Sequence, residues 1–202
     1  MYREYLGRNM RLAVIVNPDA GLGGRLGFKG SDGRAAEARA AGAQDRAGPR
    51  MRQCLEKLAE LAREPIEIIA WDGRMGGDWI PGEYTSTGVT PEVTDAGSTS
   101  AFIKAHSPDL FLYAGGDGTT RDIVEALGER NIPLVGVPGG VKMHSGCFAT
   151  TPKAAAEVVW SFVTGDLMVA RTEVMDLDEE VYRKGEWKVR MYGEAFTPAS
   201  PR

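Results

Sequence analysis

Six consecutive residues, Gly115-Gly116-Asp117-Gly118-Thr119-Thr120, carry the strongest chemical signal in the chain. They join an unbroken apolar run, Leu110 to Ala114 (LFLYA), to a helix expected over 119–127. The run reads as a buried strand. Ile123, Val124 and Leu127 would face inward from the helix, and Gly128 suits its C-terminal stop. Open α/β sheets bind ligands at the carboxyl ends of their strands. Glycines at such a turn let backbone N–H groups close on an anion, and the helix dipole adds positive potential there. Thr119 and Thr120 could cap the helix or contact phosphate. Asp117 is the odd member. A carboxylate among phosphate-binding amides repels the ligand unless it has chemistry to do: holding Mg²⁺, or accepting a proton from an attacking hydroxyl. A plain turn is the alternative for a bare Gly-Asp-Gly, but here the motif sits between a strand and a clean helix.

Two further loops should reach the same edge. Leu12 to Val16 (LAVIV) is a buried strand by its β-branched apolar run, and Asn17-Pro18-Asp19-Ala20-Gly21 ends it. Asn17 could bond a phosphate or a ribose, or close the strand as an Asx-Pro turn. After a strand over 133–137 comes Gly136-Val-Pro-Gly139-Gly-Val-Lys142-Met-His144-Ser145-Gly146. In that loop, glycines such as Gly139 allow close approach and Lys142 could neutralise phosphate charge. His144 and Ser145 could contact a substrate. A solvated lysine and a hydrogen-bonded loop histidine are the alternatives. The tract Gly21 to Gly27 (GLGGRLG) has Leu26 where a dinucleotide fingerprint needs its third glycine, and there is no Walker A pattern.

Weaker candidates read as structure. Cys147 is a small, partly buried hydrophobe, and His106 shows no partner. Glu173, Asp176, Asp178, Glu179 and Glu180 form a solvated strand end, with a cation site as the alternative. Two histidines without Cys/His spacing argue against structural zinc, and no G-x-S-x-G elbow supports a hydrolase triad.

The elements needed to position these loops are legible in the pattern. A helix is expected from Pro49, with Met51, Leu55, Leu58 and Leu61 as its apolar stripe. A strand follows at Ile66 to Ala70. Residues 72–90 read as loop, 92–94 as a short strand and 98–105 as a helix. Thr151-Pro152 opens a last helix that ends near Thr164, before Gly165. Strands alternating with helices predict an open parallel sheet flanked by helices, an α/β nucleotide-binding domain over 11–165. Beyond it, 172–177 and 187–192 look like strands of another sheet. Two strands alone are marginal in water. Either they dock on the first domain, or 166–202 begins a C-terminal β domain that is incomplete here; the second is expected.

Composition narrows the classes. The net charge of −4 argues against a broad nucleic-acid surface. No apolar run reaches the roughly 18 residues of a membrane span, and the charged stretch Met1 to Met10 lacks a signal-peptide core. Two cysteines outside any C-x-x-C pair fit a reducing cytoplasm. Glycine is the outlier, 26 of 202 residues, and it clusters in the three loops named above. Strands exposed near the C-terminus suggest pairing with a second copy, or aggregation.

The chain resembles the ATP-NAD kinase superfamily, most closely the branch that includes the acetoin-catabolism (AcoX-like) proteins. VNPDAGLGGRLGFKGSDG (16–33), AGGDGTTRDIVEAL (114–127), GVPGGVKMHSGCFATTP (136–152) and EVMDLDEE (173–180) carry the resemblance. It implies ATP-dependent phosphorylation of a hydroxyl with Mg²⁺, in NAD kinases the 2′-hydroxyl of the adenosine ribose. Gly115, Gly116, Gly118 and Thr119 inherit phosphate binding, Asp117 the catalytic aspartate role, and Asn17 the Asn-Pro element shared with lipid and sphingoid kinases. Two departures stand out. True NAD kinases carry a different loop where this chain has GVPGGVKMHSG, and nothing in 166–202 matches the Asn-Glu motif of the family's C-terminal β domain. Two other functions follow from these departures: a nucleotide-binding module without catalysis, or a lipid or sphingoid kinase.

Overall fold

The structure, a computed structural model, describes residues 7–21, 36–37, 45–139, 143–177 and 183–199. Strands β1 (Met10–Val16), β2 (Ile66–Asp72), β3 (Thr85–Val89), β4 (Leu110–Gly115) and β5 (Leu134–Pro138) form one parallel sheet in the order β3-β2-β1-β4-β5. Helices α1 (Ala47–Leu61) and α4 (Pro152–Val163) cover one face; α2 (Ala96–Ala105) and α3 (Asp117–Leu127) cover the other. Cover on both faces explains why β1 from Leu12 onward, and β4, are apolar. Leu12, Val14, Val16, Leu110 and Leu112 meet Met51, Leu55, Leu58, Ala155 and Val159. The intervening Ala13, Ile15, Phe111 and Tyr113 meet Phe102, Ile103 and Ile123 on the opposite side.

The strand order reverses direction between β1 and β4. That is the switch point at which an open α/β sheet leaves a crevice beyond its carboxyl edge. Asn17 follows β1 there, and Gly116 follows β4.

Helix ends follow local chemistry. The Asp95 side chain accepts from the Ser98 N–H at 3.0 Å, while the Ser98 hydroxyl receives the Asp95 N–H, so α2 opens on a capping box at Ala96. Thr151 caps α4 by accepting from the Ala154 N–H at 3.0 Å, with Pro152 in the first turn as expected. Gly128 ends α3 at φ +59°.

Three expectations shift. The third strand is Thr85–Val89, within the expected loop, and not 92–94; as a largely exposed edge strand it shows no apolar alternation. Helix α1 begins at Ala47, which puts Pro49 within the first turn, where no N–H is needed. Helix α3 begins at Asp117.

Strands β6 (Met168–Leu177) and β7 (Val189–Ala199) form an antiparallel ribbon. It packs on the α3 side of the sheet through Val174 and Ala195, and the Thr197 hydroxyl donates to the Leu134 carbonyl at 2.8 Å. The register skips Tyr192, between Val174↔Gly193 and Met175↔Met191. A bulge of this kind re-aims a side chain. Here the Tyr192 ring lies 3.6 Å from the Arg121 guanidinium on α3, a cation–π contact, and its hydroxyl donates to the Leu177 carbonyl at 3.1 Å.

At the end of the sheet away from the site, one guanidinium gathers two helix C-termini. Arg130 donates to the Ile103 and His106 carbonyls at the C-terminal end of α2, at 2.8 and 2.6 Å, and to Leu127 of α3 at 3.3 Å. His106 does have partners. One ring nitrogen lies 2.7 Å from the Phe102 carbonyl and the other 2.8 Å from the Thr87 hydroxyl, so the imidazole pins β3 to α2. Both cysteines are buried, and burial pushes the Cys54 thiol up to about 12.

Arg130→Ala should cost about 2 kcal/mol in urea unfolding, and Arg130→Lys should recover less than half, because an ammonium cannot span both helix ends. A second test concerns Asp109. Burial pushes its carboxyl upward, but the Arg8 guanidinium at 2.7 and 2.9 Å and the Arg11 N–H outweigh burial and hold it below the ordinary value of 3.8. A depressed folded value adds stability above the ordinary value and loses it as pH falls through the depressed one. Arg8→Ala should therefore lose under about 1 kcal/mol at pH 7, and its denaturation curve should converge on wild type in strong acid.

Candidate active site at the sheet switch point

Three loops meet beyond the carboxyl edge of β1, β4 and β5. The Asn17 N–H donates to the Ala114 carbonyl at 2.9 Å, which continues the β1–β4 ladder by one residue. Its side chain forms an Asx turn, accepting from the Asp19 N–H at 3.1 Å. The amide of the same side chain donates to the Thr119 hydroxyl at 2.9 Å. Asn17 is thus a strut between the first loop and the α3 start. The third loop joins through the Gly139 N–H, which donates to the Gly115 carbonyl at 3.1 Å.

The loops touch closely enough to demand glycine. A Cβ on Gly139 would stand 2.7 Å from the Gly115 carbonyl oxygen, and one on Gly115 would stand 2.4 Å from the Thr119 hydroxyl. Gly21, at φ +78°, would meet the Gly139 carbonyl oxygen at 2.9 Å. Internal packing therefore accounts for these three glycines without any ligand. Gly118 differs. A Cβ there would meet only the Asp176 carboxylate, at 3.9 Å, among the described residues. Glycine inside a helix costs about 1 kcal/mol relative to alanine, and no closer contact among the described residues asks for it here. Among the described residues, the space above Gly118 is open.

The amides around that space are unsatisfied by the helix. Gly116 is the N-cap of α3, with no side-chain cap. The first-turn N–H groups of Asp117, Gly118 and Thr119 have no partner within the helix. Thr119 and Thr120 do not cap it. The Thr119 hydroxyl is taken up by Asn17, and the fully buried Thr120 hydroxyl lies 2.6 Å from the Tyr113 hydroxyl and donates to the Gly116 carbonyl. Burial holds the Tyr113 phenol far above its ordinary value, so the hydroxyl stays protonated as a support beneath the turn.

The Asp117 side chain has partners in another loop. Its carboxylate is 8% exposed and is gripped by the third loop. One oxygen accepts from the His144 and Ser145 N–H groups at 3.0 and 2.8 Å. The other accepts from the His144 N–H at 2.8 Å and lies 3.0 Å from His144 Nδ1. The loop is in turn hung on β6. The Ser145 hydroxyl donates to the Met175 carbonyl at 3.0 Å and accepts the Met175 N–H at 2.9 Å, while the Gly146 N–H donates to the Glu173 carbonyl at 3.0 Å. Cys147 is buried, and burial pushes its thiol up to about 11, which fits the small-hydrophobe reading.

The structure thus brings Asn17, Gly115, Gly116, Asp117, Gly118, Thr119, Thr120, Gly139 and Ser145 together. Lys142 and most of the GLGGRLG tract, as well as Asp178, Glu179 and Glu180, lie outside the described residues. The pairing of Asp117 with His144, and the role of Met175, were invisible in the sequence: no local spacing relates positions 27 and 58 residues apart. Among the described residues, no group of three or more His, Cys, Asp or Glu is placed to hold a metal.

Ser145→Ala should strand both Met175 backbone groups, costing about 2 kcal/mol in urea unfolding. Hydrogen exchange at the Met175 amide should accelerate more than at the β4 amides.

Over 78 residues the chain is 36% identical to an NAD kinase of Cytophaga hutchinsonii, a match covering 37% of this chain and 26% of that enzyme. Two solved structures from Bacillus anthracis str. Sterne, described as a putative diacylglycerol kinase and a diacylglycerol kinase, are similar at 16% and 15% identity. Their TM-scores are 0.44 and 0.45, and they cover 84% and 87% of this chain but 45% of their own. The chain therefore spans about a quarter of the curated relative in that match and under half of each solved structure. Residues 12–167 match the ATP-NAD kinase N-terminal domain, a span that runs from β1 through α4 and contains all three site loops. By that match, the chain belongs to the ATP-NAD kinase N-terminal domain family.

Proposed function

We propose that the chain is the nucleotide-binding part of an ATP-dependent kinase that phosphorylates a hydroxyl of NAD or a related nucleotide. One observation carries this reading: the N-terminus of α3, without a side-chain cap and with the space above Gly118 open among the described residues, at the switch point of the sheet. A phosphate chain would sit on the Gly118 and Thr119 amides, where the helix dipole favours negative charge. Lys142 would add a positive charge. Asn17, Gly115, Gly116, Thr120, Gly139 and Ser145 would keep the loops in register. Asp117 would supply the carboxylate on which transfer to the acceptor hydroxyl depends. Mg²⁺ enters as part of the Mg²⁺-ATP substrate, neutralising charge on the transferring phosphoryl group.

The motif GVPGGVKMHSG supports placing the chain in the AcoX-like branch. Buried, unpaired Cys54 and Cys147 support a reducing cytoplasm. No helix among the described residues is long and apolar enough to cross a membrane. A second copy of the chain would find exposed Met168 and Met191 on the ribbon to pack against. The boundary near 165, with a separate β domain beyond it, rests on the change from helix to ribbon. The occupied Asp117 carboxylate favours a second reading, a module that binds nucleotide without turnover.

Calorimetric titration with Mg²⁺-ATP tests the site. Wild type should bind. Gly118→Ala should keep or raise thermal stability, since a Cβ fits there and alanine favours the helix, yet weaken binding by about tenfold or more. Asp117→Asn should retain binding and lose NADP formation. Unchanged affinity in Gly118→Ala would remove the phosphate from this position. Binding by wild type without transfer to NAD would favour the second reading.

A further inference from the structure

Two opposite charges border the opening above Gly118. The Asp176 carboxylate oxygen Oδ2 lies 3.9 Å from where a Gly118 Cβ would stand. The same oxygen lies 3.9 Å from Nη1 of Arg121. Arg121 follows Gly118 by three residues on α3, so the two share a face of the helix. Long side chains on a helix lean back toward its N-terminus. The lean and the shared Asp176 oxygen together put the guanidinium beside the opening. A phosphate seated on the Gly118 amide would meet the Asp176 charge and be repelled. A cation at the same place offsets that repulsion. The fold fixes this cation without spending its donors. The Arg121 guanidinium lies 3.6 Å from the centroid of the Tyr192 ring, on the residue that the ribbon register skips. A cation–π contact of this kind needs no N–H hydrogen bond. The ion pairs of Arg121 are loose, at 3.4 Å to Glu125 and 3.9 Å to Asp176, and its side chain is 30% exposed. Such pairs add little stability. Among the described residues, the guanidinium N–H groups of Arg121 make no hydrogen bond. Arg130, by contrast, spends its own on carbonyls.

We propose that Arg121 is a polyphosphate-binding residue: one phosphate sits on the Gly118 and Thr119 amides, and the Arg121 guanidinium takes oxygens of the next. This rests on the phosphate placement in the reading above. A planar guanidinium presents two parallel N–H groups to two phosphate oxygens at once. Both oxygens of such a contact are better acceptors for it than the distant Asp176 carboxylate. The site is then built for a chain of phosphates and not for a single one, because the amides and the guanidinium stand side by side along the first turn of α3.

The test is calorimetric titration of the full chain with Mg²⁺-ATP at low and at high KCl. Wild type is compared with Arg121→Gln, which removes the charge, and Arg121→Lys, which keeps the charge without the fork. Arg121→Gln should weaken binding by about tenfold or more. Its affinity should also fall less with added salt than that of wild type, because one screened charge pair is gone. Arg121→Lys should bind more weakly than wild type and more tightly than Arg121→Gln. If Arg121→Gln binds like wild type while Gly118→Ala binds more weakly, the phosphate stands where it was placed and Arg121 does not reach it. The inference is then overturned and the reading above stands. If Arg121→Gln loses affinity with an unchanged salt dependence, the arginine only braces the ribbon against α3, and the inference is likewise overturned. Should Arg121→Gln not fold, Arg121→Lys decides: weaker binding upholds the inference and unchanged binding overturns it. If wild type does not bind Mg²⁺-ATP, the reading on which the inference rests fails, and the inference fails with it.

Discussion

One buried carboxylate organises the ligand edge of this molecule. Asp117 starts α3, yet its oxygens are turned to the loop that follows β5, and that loop is anchored on β6 by Ser145 and Gly146. Three parts of the chain that have no sequence neighbourhood therefore share one charge. A carboxylate this secluded needs donors, because leaving it unpaired would cost several kcal/mol. Backbone N–H groups supply them without spending a basic side chain. The first-turn amides of α3, meanwhile, have no partner within the helix.

The glycines divide along the same line. Gly21, Gly115 and Gly139 are small because neighbouring loops occupy the space where a side chain would stand. Gly118 has almost nothing beside it among the described residues. A glycine-rich motif read from sequence treats all its members as equivalent phosphate cradles. Only coordinates separate those that let loops pack together from the one that leaves room for a visitor.

Much of the sheet was legible because apolar runs such as LAVIV and LFLYA are what a strand covered on both faces must look like. Helix starts at Thr151-Pro152 and the stop at Gly128 were legible for the same local reason. The edge strand Thr85–Val89 was not, since an exposed strand carries no burial pattern. The Asn17, Gly115 and Gly139 loops converge as expected from their common place after strands. The side-chain directions were not readable: Thr120, read as a cap or phosphate contact, is turned into the core beside Tyr113, and His144, read as a substrate contact or a hydrogen-bonded loop histidine, is bonded to Asp117. His106 likewise gained partners from β3 and α2, elements whose proximity no spacing announces.

Arg130 has a consequence for dynamics. By binding the carbonyl ends of α2 and α3 together, it removes the freedom of α3 to slide along its axis. The start of α3 is then a fixed reference point, with a rigid floor of Tyr113 and Thr120 beneath it.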